Sequence, residues 1–195
     1  KSTALLFGDA GTATIIAPTD AEKEFVFGFD TDGSMRDSLL IPDFGFRNKL
    51  TKESLDLVTY EDGSKRSGVD MKMEGKDIFS YVVQRVPKML DNFLEEEEYD
   101  SSEFDYFLFH QANRYMLKQM SRKLKIDWNK VPLSIHKYGN TSSATIPLNI
   151  CSELTEAIAG KEKKVLMAGF GAGLATSAAI MDLGNCICPG VIDYE

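Results

Sequence analysis

Apolar residues recur at helical spacing from Lys76 to Glu96. Ile78, Phe79, Val82, Val83, Val86, Leu90, Phe93 and Leu94 repeat with the period of an amphipathic helix. Pro87 falls inside that stretch. It lacks the N–H that an interior helical residue donates, so it predicts a kink or an interruption. Phe104–Phe109 is a short apolar run of strand length. Asn113 is a favoured N-cap, and the helix predicted after it carries Met116, Leu117, Met120 and Leu124 on one side. Val131–Ile135 reads as another strand. Asn140-Thr-Ser-Ser opens a helix through Leu148, Ile150 and Leu154 to Ala159, stopped by Gly160. Lys164–Phe170 and Ala175–Leu183 read as strands joined by the glycine-rich turn Gly169-Phe-Gly-Ala-Gly173.

Ahead of these elements the pattern is weaker. Ala4–Ala17 reads as two strand-like pieces around a Gly8/Gly11 turn, and Glu24–Asp30 as a short strand ended by Asp32-Gly33. Residues 33–75, with Pro42 and several glycines, read mostly as loops with short elements. The acidic run Glu95–Asp100 reads as a solvated loop. No internal repeat is present. The alternation of strands and helices predicts an α/β layered domain with a mixed sheet flanked by helices.

Composition narrows the classes. At 195 residues the chain fits one substantial domain or two small ones. Its formal net charge of −8 argues against a nucleic-acid or anionic-membrane surface over the whole protein, while leaving room for a local basic patch. No apolar run approaches the ~20 residues of a membrane helix, and no signal-peptide pattern opens the chain. Three cysteines make a disulfide framework a poor expectation and a reducing, cytoplasmic compartment the better one. The chain opens at Lys1, without a methionine, and runs at once into a strand-like segment. It is expected to be a piece of a longer polypeptide.

Ligands of open α/β sheets collect at the C-terminal ends of strands. Three unusual features fall at predicted strand ends. His110, one of two histidines, follows Phe109; Asn140 follows the strand read at Val131–Ile135; and the glycine-rich turn follows Val165–Met167. Together they offer an imidazole, a carboxamide and exposed backbone N–H groups. Each also has a structural reading: a strand-end histidine, a helix cap and a tight hairpin. The turn is not a dinucleotide fingerprint, because a third glycine would be needed at Leu174 and a helix rather than a strand would have to follow. Arg114, Lys118 and Arg122 lie four residues apart on one helix face, with Lys123 and Lys125 extending the patch and Asp127 offsetting it. That face is either solvated or a dock for an acidic partner.

"FHQAN" (109–113), "YGNTSSATIP" (138–147), "GFGAGL" (169–174) and "FGDAGTA" (7–13), with "DTDGS" (30–34) between, appear in the order found in one family. Together they resemble the β-ketoacyl-acyl-carrier-protein synthase III family of thiolase-fold condensing enzymes, over about the second half of a member. The resemblance implies that residues 1–24 end the N-terminal thiolase-like half, 25–184 form the C-terminal half and 185–195 a tail. It also implies a Cys-His-Asn catalytic set. His110 and Asn140 match the histidine and asparagine, whereas no residue of this chain matches the nucleophilic cysteine. Cys151 falls inside a predicted helix, and Cys186-x-Cys188 without partner ligands is weak evidence for a metal. Ala172 matches the backbone donor of the acyl oxyanion hole. Ala112 and Asn113 match substrate-binding positions.

The reaction implied transfers an acyl group from coenzyme A to the cysteine. Malonyl-acyl-carrier protein then loses CO2, and its enolate attacks the acyl thioester. No cofactor is implied beyond coenzyme A and phosphopantetheine as substrate carriers. The ring N–H of His110 and the NH2 of Asn140 would stabilise the enolate oxyanion without transferring a proton. His110 is expected to be neutral, because a helix N-terminus follows it and Arg114 and Lys118 stand near. Arg114, Lys118 and Arg122 would meet the acidic carrier protein or coenzyme A phosphates. A homodimer at full length is implied as well. The missing cysteine keeps a non-catalytic thiolase-like subunit or docking module open, and the shared Cys-His-Asn set keeps a type III polyketide synthase-like enzyme open.

Overall fold

Strand order follows from which residues can bury both faces. The structure, a computed structural model, describes residues 5–18, 20, 22–61, 63–184 and 186–193. Its main sheet has four strands: β1 (Val26–Thr31), β6 (Tyr106–Phe109), β7 (Lys163–Gly171) and β8 (Ala175–Leu183), in the order β1-β8-β7-β6. β7 and β8 form an antiparallel hairpin, β1 runs antiparallel to β8, and β6 runs parallel to β7 with Phe109 opposite Ala168. The sheet is mixed, as the sequence pattern predicts.

On β6 the period of two sends Phe107 and Phe109 to one face and Leu108 to the other. All three are buried, which explains why this strand reads as a continuous apolar run. The first face packs Phe107, Phe109, Leu166 and Ile180 against α2 (Val86–Glu96) and α3 (Arg114–Lys123), through Val86, Leu90, Phe93, Leu117 and Met120. Burying a side chain of this size stabilises the fold by roughly 1.5–3 kcal/mol relative to leaving it in water. The opposite face joins Leu108 and Val165 to Leu154 and Ile158, with Met167 and Met181 alongside. That second layer covers the β6–β7 end of the sheet. On β1, Phe27 and Phe29 point out of the sheet and remain exposed.

The long helix predicted at 76–96 is interrupted where proline demands it. α1 (Gly75–Ser80) passes through a π-helical turn at Tyr81–Arg85 into α2, with Pro87 in the first turn of α2. The helix after Asn140 is likewise composite. A 3-10 turn at Ser142–Ala144 leads into α5 (Thr145–Asn149), a π-helical turn at Ile150–Leu154, and α6 (Thr155–Ile158), before Gly160. The described residues of 33–75 contain only short pieces: β2 (Leu39–Leu40) paired with β5 (Lys72–Met73), β3 (Val58–Thr59) paired with β4 (Lys65–Arg66), and two 3-10 turns. In the acidic run, Glu95 and Glu96 finish α2 and the rest is turn and loop.

Two expectations are overturned. Val131–Ile135 is not a strand. Val131 closes a 3-10 turn by donating to the Trp128 carbonyl at 3.1 Å, and Ile135 starts α4 (Ile135–Tyr138). Pro132 has no N–H for a ladder, and its carbonyl accepts from Asn149 Nδ2 at 3.0 Å. The described part of 4–17 also forms no named strand; Ala4 itself lies outside the described residues. Its β-like composition finds a single bridge, Phe7 to Asn140. A strand needs a neighbour to satisfy its backbone, and Ile15 and Ile16 stand fully in solvent.

Candidate functional site

His110 leaves the sheet where β6 ends, its N–H bonded to the Ala168 carbonyl of β7 at 2.9 Å. The next residue, Gln111, is fully buried. Its amide donates to the Phe109 carbonyl at 2.8 Å and accepts from the Ser134 N–H at 3.2 Å, which ties the loop before α4 to the strand end. The His110 ring lies edge-on to Phe170, with centroids 5.4 Å apart. Its Nδ1 is 2.7 Å from Thr145 Oγ1, and the Thr145 hydroxyl donates to the Ser142 carbonyl at 2.9 Å. Burial pushes the His110 pKa down to about 4, opposed only by the Ser142 carbonyl. The ring is neutral at pH 7, as expected, and the cause is desolvation, with no contribution from Arg114 or Lys118.

Asn140 is placed differently. It follows α4 through Gly139, whose φ of +70° is a left-handed conformation that glycine adopts without strain. Its backbone is clamped by residues 6–8: Asn140 N–H donates to the Leu6 carbonyl at 2.8 Å, and Gly8 N–H donates to the Asn140 carbonyl at 3.1 Å. A Cβ on Gly8 would land on the Tyr138 carbonyl oxygen, so this approach requires glycine. Asn140 Oδ1 accepts from the Ser142 N–H at 2.9 Å. That bond assigns the amide orientation and leaves Nδ2 without a partner among the described residues. Ser142 has a positive φ of 55°. One backbone turn thereby sends its N–H to Asn140 and its carbonyl to Thr145.

These groups line one cavity of about 650 Å³. Its polar lining comes from His110, Asn113, Asn140, Ser142, Ser143 and Thr145, with Tyr81 beside them. Leu39, Ile41, Met71, Met73, Ile78 and Val82 make much of the rest apolar. Gly169, Gly171 and Ala172 bring the hairpin turn to the same space. Ala172 has no positive φ, so its methyl group is compatible with the turn. Asn113 serves twice: its side chain caps α3 by accepting from Tyr115 N–H at 2.8 Å and Met116 N–H at 3.3 Å, and it faces the cavity. Arg114, Lys118 and Arg122 are exposed on α3 and form no ion pair among the described residues. Lys123 and Lys125 stand within electrostatic reach of Asp91, so Asp127 is not the sole offset to that patch.

A polar pair set in a mostly apolar cavity, beside a backbone turn, suits a ligand whose reacting carbonyl acquires charge. A family profile described as the C-terminal part of 3-oxoacyl-[acyl-carrier-protein (ACP)] synthase III matches residues 94–183. The chain matches the C-terminal half of the 3-oxoacyl-[acyl-carrier-protein] synthase III family. It is 34% identical over 187 residues to a β-ketoacyl-[acyl-carrier-protein] synthase III of Lactococcus lactis subsp. cremoris, covering 94% of this chain and 54% of that protein. With the synthase III of Clostridioides difficile it shares 30% identity over 181 residues, 93% of this chain and 52% of that protein. A solved 3-oxoacyl-(acyl-carrier protein) synthase from Burkholderia xenovorans superposes with a TM-score of 0.83 at 35% identity, over 94% of this chain and 51% of that one. The chain therefore spans about half the length of the relatives it matches, and its fold is the thiolase-like fold of these synthases.

Within this chain, the expected His110, Asn140, Asn113, Ala112 and Ala172 converge on the cavity. The exposed Arg114, Lys118 and Arg122 do not line it, and neither does any of Cys151, Cys186 and Cys188. Burial and the neighbouring Cys188 push the Cys151 thiol up to about 11, which makes it a poor nucleophile. Sequence reasoning missed Thr145 and Ser142, which hold the two site side chains, and the apolar wall from residues 39–82. Thr145 lies in "NTSSAT", where hydroxyl residues before a helix read as capping, and residues 39–73 lack any period that could announce a wall.

Proposed function

We propose that the protein carrying this chain performs a decarboxylative Claisen condensation, joining an acyl-coenzyme A primer to malonyl-acyl-carrier protein at the start of acyl-chain synthesis. The observation that carries this reading is that Asn140 Nδ2 and His110 Nε2, both without protein partners among the described residues, share one mostly apolar cavity with the hairpin turn. An enolate formed by loss of CO2 is an oxyanion, and an apolar cavity strengthens each donor aimed at it. Asn140 Nδ2 is a donor as it stands. Nε2 of His110 donates only when it carries a proton. The Ala172 N–H serves the acyl carbonyl, and Ala112 and Asn113 contact the pantetheine arm.

The substrates are thioesters of coenzyme A and of carrier-bound phosphopantetheine, with no resident cofactor. The nucleophilic cysteine belongs to the part of the polypeptide that matches the other half of the relatives. Arg114, Lys118 and Arg122 form the dock for the acidic carrier protein, and the complete enzyme is a cytoplasmic homodimer. In the intact protein, His110→Ala and Asn140→Ala abolish malonyl decarboxylation while self-acylation by acyl-coenzyme A survives; loss of self-acylation in both variants would sink this division of roles. Reversing charge at Arg114 and Lys118 raises KM for malonyl-carrier protein and leaves self-acylation nearly unchanged.

The position of the cysteines favours one second reading. With none of Cys151, Cys186 and Cys188 in the cavity, a non-catalytic subunit fits if the native polypeptide brings no other cysteine. Intact mass before and after acetyl-coenzyme A decides between them: a gain of one acetyl group supports the enzyme, and none supports the subunit.

A further inference from the structure

The geometry points to Thr145 as the residue that fixes the tautomer of His110, holding the proton on Nδ1 and leaving a bare Nε2 lone pair facing the cavity. This inference rests on the condensing-site reading only for its consequence, and its geometry stands apart from that reading.

Three polar atoms form a short chain: His110 Nδ1, Thr145 Oγ1 at 2.7 Å, and the Ser142 carbonyl at 2.9 Å from Oγ1. The last is acceptor-only, as every carbonyl is. With the threonine proton directed at Ser142, Oγ1 is free to accept, and Nδ1 must be the donor. Two protons then make two hydrogen bonds. The alternative gives the threonine proton to Nδ1. It makes one bond along this chain and turns the hydroxyl away from Ser142. The positive φ of Ser142 keeps its carbonyl aimed at the hydroxyl, while its N–H is committed to Asn140. Phe170 stands edge-on to the imidazole and restrains its rotation. The ring is uncharged at neutral pH because it is buried, so it has one N–H to place.

The consequence separates the two site side chains. Asn140 Nδ2 is the preset side-chain donor for an oxyanion. His110 presents an acceptor, so the group it meets first in the resting site is a donor such as the S–H of a thiol. This differs from the expectation that both side chains rest as donors. Thr145 is a positioning residue, since it acts through His110.

The test is a long-range proton–nitrogen NMR correlation on the 15N-labelled intact protein at pH 7, with His110 assigned by the signal lost in His110→Gln. Wild type should show Nδ1 protonated and Nε2 bare. Thr145→Ser should keep that pattern, and Thr145→Val, which removes the hydroxyl acceptor at similar size and leaves only the Ser142 carbonyl beside the ring, should raise the Nε2–H share clearly above wild type. An Nε2–H signature in wild type overturns the inference, and so does an unchanged Nδ1–H ring in Thr145→Val. Because the spectrum needs no turnover, the two readings part cleanly. If the variants shift the tautomer as stated while no form decarboxylates a malonyl thioester, Thr145 keeps its role and the condensing reading fails.

Discussion

His110 and Asn140 face the same cavity, yet the chain holds them by opposite means. His110 grows out of β6, whose Phe107, Leu108 and Phe109 are at most 1% exposed, and its ring is boxed by Phe170 and Thr145. Asn140 hangs from Gly139 and is clamped by residues 6–8, in a segment where Leu5 is 88% exposed. One residue is fixed by a core that this chain builds for itself. The other is fixed by backbone hydrogen bonds to a stretch with little core of its own. Burial therefore sets the chemistry of the first, through its pKa, while turn geometry sets the orientation of the second.

The largest effect is expected from breaking the first mounting. Phe109→Ala removes a fully buried ring between α2, α3 and the sheet. Changes of this kind cost about 3–5 kcal/mol. Phe7→Ala, on the other mounting, removes a ring that is 39% exposed. It should cost under about 1 kcal/mol, within the range of surface changes. Urea unfolding of both variants measures the contrast, and equal losses would mean that the two mountings do not differ.

Acid sharpens the comparison next. An unfolded histidine titrates near 6.5, whereas burial holds His110 at about 4 in the folded protein. Above pH 6.5 both states are neutral at this residue and it contributes nothing to the pH dependence. As pH falls from 6.5 to 4 the unfolded state binds the proton and the folded state does not, so stability is lost. The interval of about 2.5 units corresponds to about 3 kcal/mol at 1.36 kcal/mol per unit. Relative to His110→Asn, which has no ring to titrate, wild type should lose roughly that much between pH 7 and pH 4. A constant difference would show that the ring is not buried as described.

Gly8→Ala addresses the second mounting at smaller cost. The added Cβ meets the Tyr138 carbonyl and pushes residues 6–8 away, which breaks two bonds to Asn140, of 2.8 and 3.1 Å. At about 0.5–1.5 kcal/mol per bond the fold survives. Hydrogen exchange should accelerate at the Asn140 amide and stay slow at the His110 amide, which is bonded within the sheet. Acceleration at both would mean that the mountings are coupled.

The same contrast explains what the sequence made legible. Helices α2 and α3 and strands β6, β7 and β8 bury a periodic set of residues within this chain, so their pattern is written locally. Pro87 announced its own interruption. Val131–Ile135 has strand-like residues, but a short apolar run carries no period that separates strand from turn, and Pro132 argued against a ladder. The glycines and strand-like residues of 4–17 were visible, whereas their use as a clamp on Asn140 is a contact across more than a hundred residues. His110 and Asn140 stood out as rare polar residues at element ends. The cause of the low His110 pKa did not, because desolvation is a property of the assembled cavity. Thr145 was hidden for the same reason: nothing local distinguishes a hydroxyl that meets an imidazole from one that begins a helix.

The smallest effect is expected at the bare end of the sheet. β1 turns Val26 and Gly28 toward the α2 side and Phe27 and Phe29 outward, where they are 56% and 78% exposed. Across β8 they stand beside Ala179 and Ser177, residues too small to cover them. Phe27→Ser with Phe29→Ser should change the unfolding free energy of this chain by less than about 1 kcal/mol, since little apolar area leaves the folded interior. An exposed aromatic pair of this kind does favour association, so sedimentation should show less self-association in the double variant. A loss of several kcal/mol instead would mean that these rings are packed against this chain itself. The sheet would then be covered on both faces along its whole width, and the difference between its two ends would vanish.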